Sequence, residues 1–209
     1  KDIIIGDIKN QDIMITPKQY WGNPDTAGRW IRRAKFYRKN GDNSDERIAK
    51  MIGNKFASVL EVGAGNGRII GKVAELKYSY CCSVDINPEL SKYVRSQYRD
   101  VMTFVDDVSD LSFVDNQFDM IYTYQVLQHV GKYSIHKALK ELKRVAKKEV
   151  WLFEGWGNLK KWGMPNGHMR HGGDGGTFYW DLEKMIDCYD VSFFTNNGDT
   201  GIKLYRIKI

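Results

Sequence analysis

Apolar positions along the chain fall into short, β-branched runs separated by stretches of helical spacing. Residues 57–62, Ala-Ser-Val-Leu-Glu-Val, read as a buried strand closed by a glycine turn, with a helix expected over 68–76. Residues 78–84 form a second strand ending at Asp85. Asn87-Pro88 then opens a helix to Tyr98, with proline at a favourable first-turn position. Strands are expected at 101–105 and 118–124. Residues 134–148 carry Ile135, Leu139, Leu142 and Val145 at helical spacing, and 149–154 read as a fifth strand. Beyond lie a glycine-rich stretch, 163–176, a helix expected over 180–188, and a hairpin of 190–194 with 202–209 around Asn196-Asn-Gly-Asp. One or two helices are expected before residue 54.

Parallel neighbours need crossover helices, so this alternation predicts a doubly wound α/β fold. The expected sheet is mostly parallel and seven-stranded, with helices on both faces and an antiparallel last strand. With 209 residues, 42% apolar and 28% charged, the chain suits one domain. Residues 1–54 read as a helical leader or lid packed on a core of 55–209.

No apolar run approaches the roughly 20 residues that span a bilayer, and the opening Lys-Asp-Ile-Ile-Ile-Gly-Asp lacks a signal-peptide pattern. A cytoplasmic chain without a membrane partner is expected. Cys81, Cys82 and Cys188 match neither a disulfide framework nor a zinc spacing, and Cys81 and Cys82 should be buried on opposite faces of one strand. The net charge of +6 is concentrated in residues 29–39, which hold six basic residues and no acidic one. As a helix this segment aligns Trp30, Ala34 and Tyr37. It reads either as a solvated amphipathic helix or as a phosphate-tracking surface.

In open α/β sheets ligands bind beyond the carboxyl ends of the strands. There the first strand runs into Glu61-Val-Gly63-Ala64-Gly65-Asn-Gly67, whose glycines let the backbone approach a ligand ahead of a helix start. A dinucleotide fingerprint would place glycine three residues after Gly65, where Arg68 stands. Asp85, followed by Ile86, puts a carboxylate at the end of the second strand, about twenty residues on, where it can accept both hydroxyls of a ribose. A third stretch reads Asp107-Val108-Ser-Asp-Leu-Ser-Phe-Val-Asp-Asn-Gln-Phe118-Asp119.

Together these residues resemble class I S-adenosylmethionine-dependent methyltransferases of Rossmann-like fold, with their Glu/Asp-x-Gly-x-Gly-x-Gly motif and their Asp-Ala-x-x-Leu-Pro-Phe-x-Asp-x-x-Phe-Asp pattern. The resemblance covers roughly residues 58–154. It implies S-adenosylmethionine as cofactor and S-adenosylhomocysteine as product. It also implies Asp107 accepting from the adenine amino group, the Val108 backbone at the ring edge, and Tyr124 and Gln125 beside the methionine part. N-terminal aromatics such as Tyr20, Trp21 and Trp30 are similar to the lid segments of that family.

Methyl transfer from a sulfonium needs alignment more than a base, but a hydroxyl or protonated amine acceptor must lose a proton. Candidate groups are His129 after the fourth strand, His168 and His171 in the glycine-rich stretch, and Glu154 at the end of the fifth strand; His136 is expected at the surface. His168 and His171 with Asp174 lack a third ligand of familiar spacing, so no metal is expected. The chain lacks the signatures of base-amine, cytosine-carbon and ribose methylators. A small-molecule acceptor methylated on O or N is therefore expected. Alternatives are an RNA- or protein-modifying methyltransferase using the 29–39 helix, and a nicotinamide-dependent oxidoreductase.

Overall fold

The computed structural model describes residues 16–39, 43–77, 79–171, 176–196, 198 and 200–209. Three leader helices come first: α1 (Pro17–Gly22), α2 (Pro24–Lys39) and α3 (Ser44–Ile52), one more than the sequence pattern suggests. The alternation follows: β1 (Ser58–Val62), α4 (Arg68–Glu75), β2 (Tyr80–Asp85), α5 (Pro88–Gln97), β3 (Val101–Val105), β4 (Phe118–Tyr124), α6 (Ile135–Val145) and β5 (Ala146–Gly157). The C-terminal part holds α7 (Leu159–Trp162), β6 (His168–His171), β7 (Thr177–Tyr179), β8 (Asp190–Asn196) and β9 (Thr200–Lys208).

Seven strands form one sheet in the order β3-β2-β1-β4-β5-β9-β8, while β6 and β7 make a separate hairpin. The pairs among β1 to β5 are parallel, and β9 runs antiparallel to both β5 and β8. The strand order reverses between β1 and β4, so the crevice lies beyond their carboxyl ends. Alternating residues feed two cores. Leu60, Val62, Cys82, Ile121 and Leu152 pack with α6, and Val59, Cys81, Met120, Tyr122 and Phe153 pack with α3 and α4. Cys81 and Cys82 are thus buried on opposite faces, as period-two alternation requires.

Three segments differ from the sequence pattern. The α6 helix ends at Val145, and Ala146 already pairs with Phe118. Lys147 and Lys148 fit a helix surface or a strand edge equally well, and the ladder on β4 decides for the strand. At its far end β5 extends to Gly157 because β9 pairs with it along that whole length. Residues 180–188 hold only a 3-10 turn, Leu182–Lys184. Their apolar side chains pack on one core without a continuous helix, and the Trp180 indole N–H is used on the Leu127 carbonyl at 2.9 Å. Within the stretch 163–176, His168–His171 form β6 and pair with β7, while Asp174 lies outside the described residues.

Candidate functional site

The glycine loop after β1 is built by backbone conformation. Gly63 and Gly67 both have φ +72°, a region costly for residues with a Cβ. A Cβ on Gly63 would lie 2.4 Å from Val126 Cγ2, and one on Gly67 would lie 2.8 Å from Val94 Cγ2. The Gly63 and Ala64 amides donate to the Val84 carbonyl, at 2.8 and 3.1 Å, holding the loop on the end of β2. Glu61 is engaged on the protein side. It is buried, and its Oε2 accepts from the Ile70 amide at 2.9 Å, fastening α4 to β1. Burial pushes its carboxyl up to about 8, against the lowering effect of that amide. Arg68, standing where a dinucleotide fingerprint has glycine, reaches back to the leader, with Ser44 Oγ at 2.8 Å and Asp45 Oδ1 at 3.8 Å.

Asp85 is the hinge between glycine loop and second loop. Its Oδ2 accepts from the Gly65 amide at 2.8 Å and its Oδ1 from the Asn87 amide at 2.9 Å. Burial raises its carboxyl above the usual range, while those two amides pull the other way. Ile86 beside it is half-buried. Asp107 presents one oxygen to Ser109, backbone and side chain, and the other to Lys18 at 2.9 Å. Burial pushes Asp107 up, but Lys18 and Ser109 outweigh it and hold the carboxyl below its ordinary value. Val108 packs against the core at half-burial. The rest of that loop is stapled to α6: Arg144 donates to the Leu111 and Phe113 carbonyls and to Asp115 and Glu141.

After β4 the chain turns sharply at Gln125, a non-glycine residue with φ +56°, whose amide donates to the Phe153 carbonyl at 2.7 Å. Tyr124 faces the α3 and α4 side, its ring 5.4 Å from the Arg68 guanidinium carbon. A 3-10 turn, Leu127–His129, follows. Glu154 is not open to the crevice. It is 2% exposed and accepts from Thr123 Oγ1 at 2.6 Å and from the Val126 and Leu127 amides at 3.2 and 2.9 Å. Burial pushes it up to about 7 despite these donors.

The leader touches each of these loops. Lys18 meets Asp107, and the Asn87 amide group donates to the Trp21 and Asn23 carbonyls at 2.9 and 2.8 Å. Asn66 Nδ2 donates to the Trp30 carbonyl at 3.2 Å, and the Trp21 ring lies 4.4 Å from that of His129. His129 Nδ1 is also 3.4 Å from the Gly176 carbonyl, in the β6–β7 connection. His168 is half-buried in β6 opposite Tyr179, and the side chain of His171 lies outside the described residues. His136 is exposed on α6. Among the described residues no group of three or more His, Cys, Asp or Glu can hold a metal ion, and no helix is long and apolar enough to cross a membrane. Sequence reasoning noted Asn87 only as a helix start and missed Lys18 and Asn66; their partners lie in the leader, where no local motif announces them.

Residues 60–153 match the family model described as a methyltransferase domain. Solved structures share the fold. A TehB-like S-adenosylmethionine-dependent methyltransferase from Corynebacterium glutamicum is 17% identical, with 88% of this chain and 98% of that one covered at a TM-score of 0.65. The 4+2 cyclase SpnF is 14% identical over 94% and 97%, at 0.67. A Thermotoga maritima protein titled a possible histamine N-methyltransferase is 16% identical over 86% and 96%, at 0.60. No curated protein matches the sequence significantly. Residues 60–153 are thus similar to a methyltransferase domain, and the chain shares the doubly wound α/β fold of these solved structures.

Proposed function

We propose that the protein transfers a methyl group from S-adenosylmethionine to an O or N atom of a small-molecule acceptor. The cofactor would lie along the glycine loop, with Asp85 taking the ribose hydroxyls, Asp107 the adenine amino group, and the Gln125–Leu127 turn flanking the amino-acid end. The observation that carries the small-molecule reading is the closure at Trp21, His129 and Gly176. There Trp21 of α1, His129 of the turn after β4 and Gly176 just before β7 meet. Such a cover excludes water and favours an acceptor that can be enclosed.

His129 is the group we assign to the acceptor's proton, being half-buried at that closure; His168 in β6 is the second candidate. Glu154 is spent on Thr123 and backbone amides, so it is not assigned as a base. The basic helix does not decide for RNA or protein, since the side chains of residues 33–39 lie outside the described residues. The nicotinamide alternative loses its support to the methyltransferase-domain match and to Arg68, which is committed to Ser44 and Asp45.

Fold alone does not fix the reaction: one structural neighbour is titled a cyclase. The test is therefore in two parts. Calorimetric titration with S-adenosylmethionine, S-adenosylhomocysteine and NAD should show binding of the first two only, and Asp85→Ala should weaken it by about 1 to 3 kcal/mol. An acceptor screen with labelled cofactor should then yield a methylated small molecule. Cofactor binding without turnover on any small acceptor, but with turnover on RNA or protein, would move the acceptor assignment.

A further inference from the structure

Glu154 is a carboxylate in a dry place, and what it holds there is a wall of the cofactor crevice. Its named partners are uncharged: one hydroxyl and the backbone amides of the turn after β4. Its neighbour across the sheet, Lys203, turns instead to Glu183. Burying such a group costs free energy unless its oxygens are used, so the acid persists because the turn uses it. The turn needs it in return. Gln125 at φ +56° swings the amides of Val126 and Leu127 out of the β4 ladder, and the short 3-10 turn leaves its first N–H groups without internal acceptors.

The opposite side of the turn is held by the Trp180 indole on the Leu127 carbonyl. Val126 in turn sits directly on Gly63, the first glycine of the cofactor loop. A displacement of the turn therefore presses on that loop or opens a gap beside it. The β5 backbone also approaches this turn: a Cβ on Gly155 would lie 2.5 Å from the end of the Gln128 side chain, at Oε1.

We propose that Glu154 is a positioning residue, which presets the Gln125–His129 turn against the amino-acid end of the cofactor without touching it. This rests on the methyltransferase reading above. A residue acting through this turn should affect ligands that reach the turn and spare those that stop at the nucleoside. The paired probes are S-adenosylhomocysteine and 5′-methylthioadenosine, which share the thioether nucleoside and differ in the amino-acid chain.

Glu154→Ala is expected to weaken S-adenosylhomocysteine by about tenfold or more while 5′-methylthioadenosine stays within about twofold, both by calorimetry. Glu154→Gln keeps the shape and one acceptor oxygen, and should show the same selectivity at smaller size; it makes the comparison alone where Glu154→Ala does not fold. Equal weakening of both ligands, or no change for S-adenosylhomocysteine, overturns the proposal. A wild-type protein that binds neither ligand overturns the cofactor reading itself, and this inference with it; the variant comparison tests Glu154 by itself.

Discussion

Lys18 reaches from the leader to Asp107, its ammonium 2.9 Å from the carboxylate oxygen that the cofactor reading gives to the adenine amino group. An adenine amino group and the Lys18 ammonium would then share the acceptor sites of one carboxylate. An ion pair exposed on the lysine side is worth at most about 1 kcal/mol, so removing the competitor gains no more than about fivefold in affinity. Lys18→Met is expected to bind S-adenosylhomocysteine more tightly than wild type by a factor within that bound. Added salt screens the pair, so the wild type should bind more tightly as salt rises while the variant does not respond. A weaker Lys18→Met would mean that the lysine helps to hold the cofactor.

Asn87 joins the leader to the cofactor loops and is fully buried. Its Oδ1 caps α5 by accepting from Glu89 and Leu90, and its Nδ2 donates to Trp21 and Asn23. Asn87→Asp keeps the cap but sets a carboxylate against two carbonyls and beside Asp85. The expected loss is about 1 to 3 kcal/mol of stability, with earlier proteolytic cleavage between α1 and α2 than in the core. Thermal melting and timed proteolysis read the two effects separately. Leader cleavage at the wild-type rate would show that Asn87 is not what docks it.

The parts of this site that were legible in the sequence are local ones. The glycine spacing, Asp85 after its strand, and the run from Asp107 to Asp119 each lie within a few residues, where turn chemistry and strand alternation leave a direct trace. The connections between loops are not local. Asn87 finds Trp21 across 66 positions, and Glu154 finds Leu127 across 27, so neither residue type nor spacing reveals the partner. Glu154 read as a candidate base at a strand end because nothing in its neighbourhood shows that amides converge on it. Residues 180–188 read as a helix because their apolar side chains are frequent enough, although only Leu182–Lys184 make a 3-10 turn and the Trp180 indole is tied to the Leu127 carbonyl.

The two buried acids give the stability a pH dependence of definite sign. Glu61 is pushed up to about 8 and Glu154 to about 7 in the folded chain, against an ordinary value of 4.5. Between those values the folded chain holds protons that the unfolded chain has released. The stabilisation is complete below 4.5 and is lost as pH rises through about 7 and then 8. Melting temperature should therefore fall across this window, while the carboxylates held low by Lys18 and Arg144 act only at lower pH. Glu61→Gln, which can still accept from Ile70, should flatten the upper part of the fall. An unchanged slope in that variant would clear Glu61 as its source.

Gly63 and Val126 offer a direct test of the contact between glycine loop and β4 turn. Gly63→Ala meets two separate costs: φ +72° and a Cβ only 2.4 Å from Val126 Cγ2. The backbone cost is about 1 to 2 kcal/mol, and overpacking against a stiff β-branched side chain adds roughly 1 to 3 kcal/mol. In a Val126→Ala background the two Cγ clashes are gone, leaving the backbone cost and a tight 3.2 Å approach to the Cβ of residue 126. A double-mutant cycle by denaturant unfolding should therefore show a coupling of about 1 to 3 kcal/mol, with Gly63→Ala cheaper when Val126 is absent. Equal costs in the two backgrounds would mean that the turn does not rest on the glycine loop, and that the hold of Glu154 on the turn does not reach the cofactor through Val126.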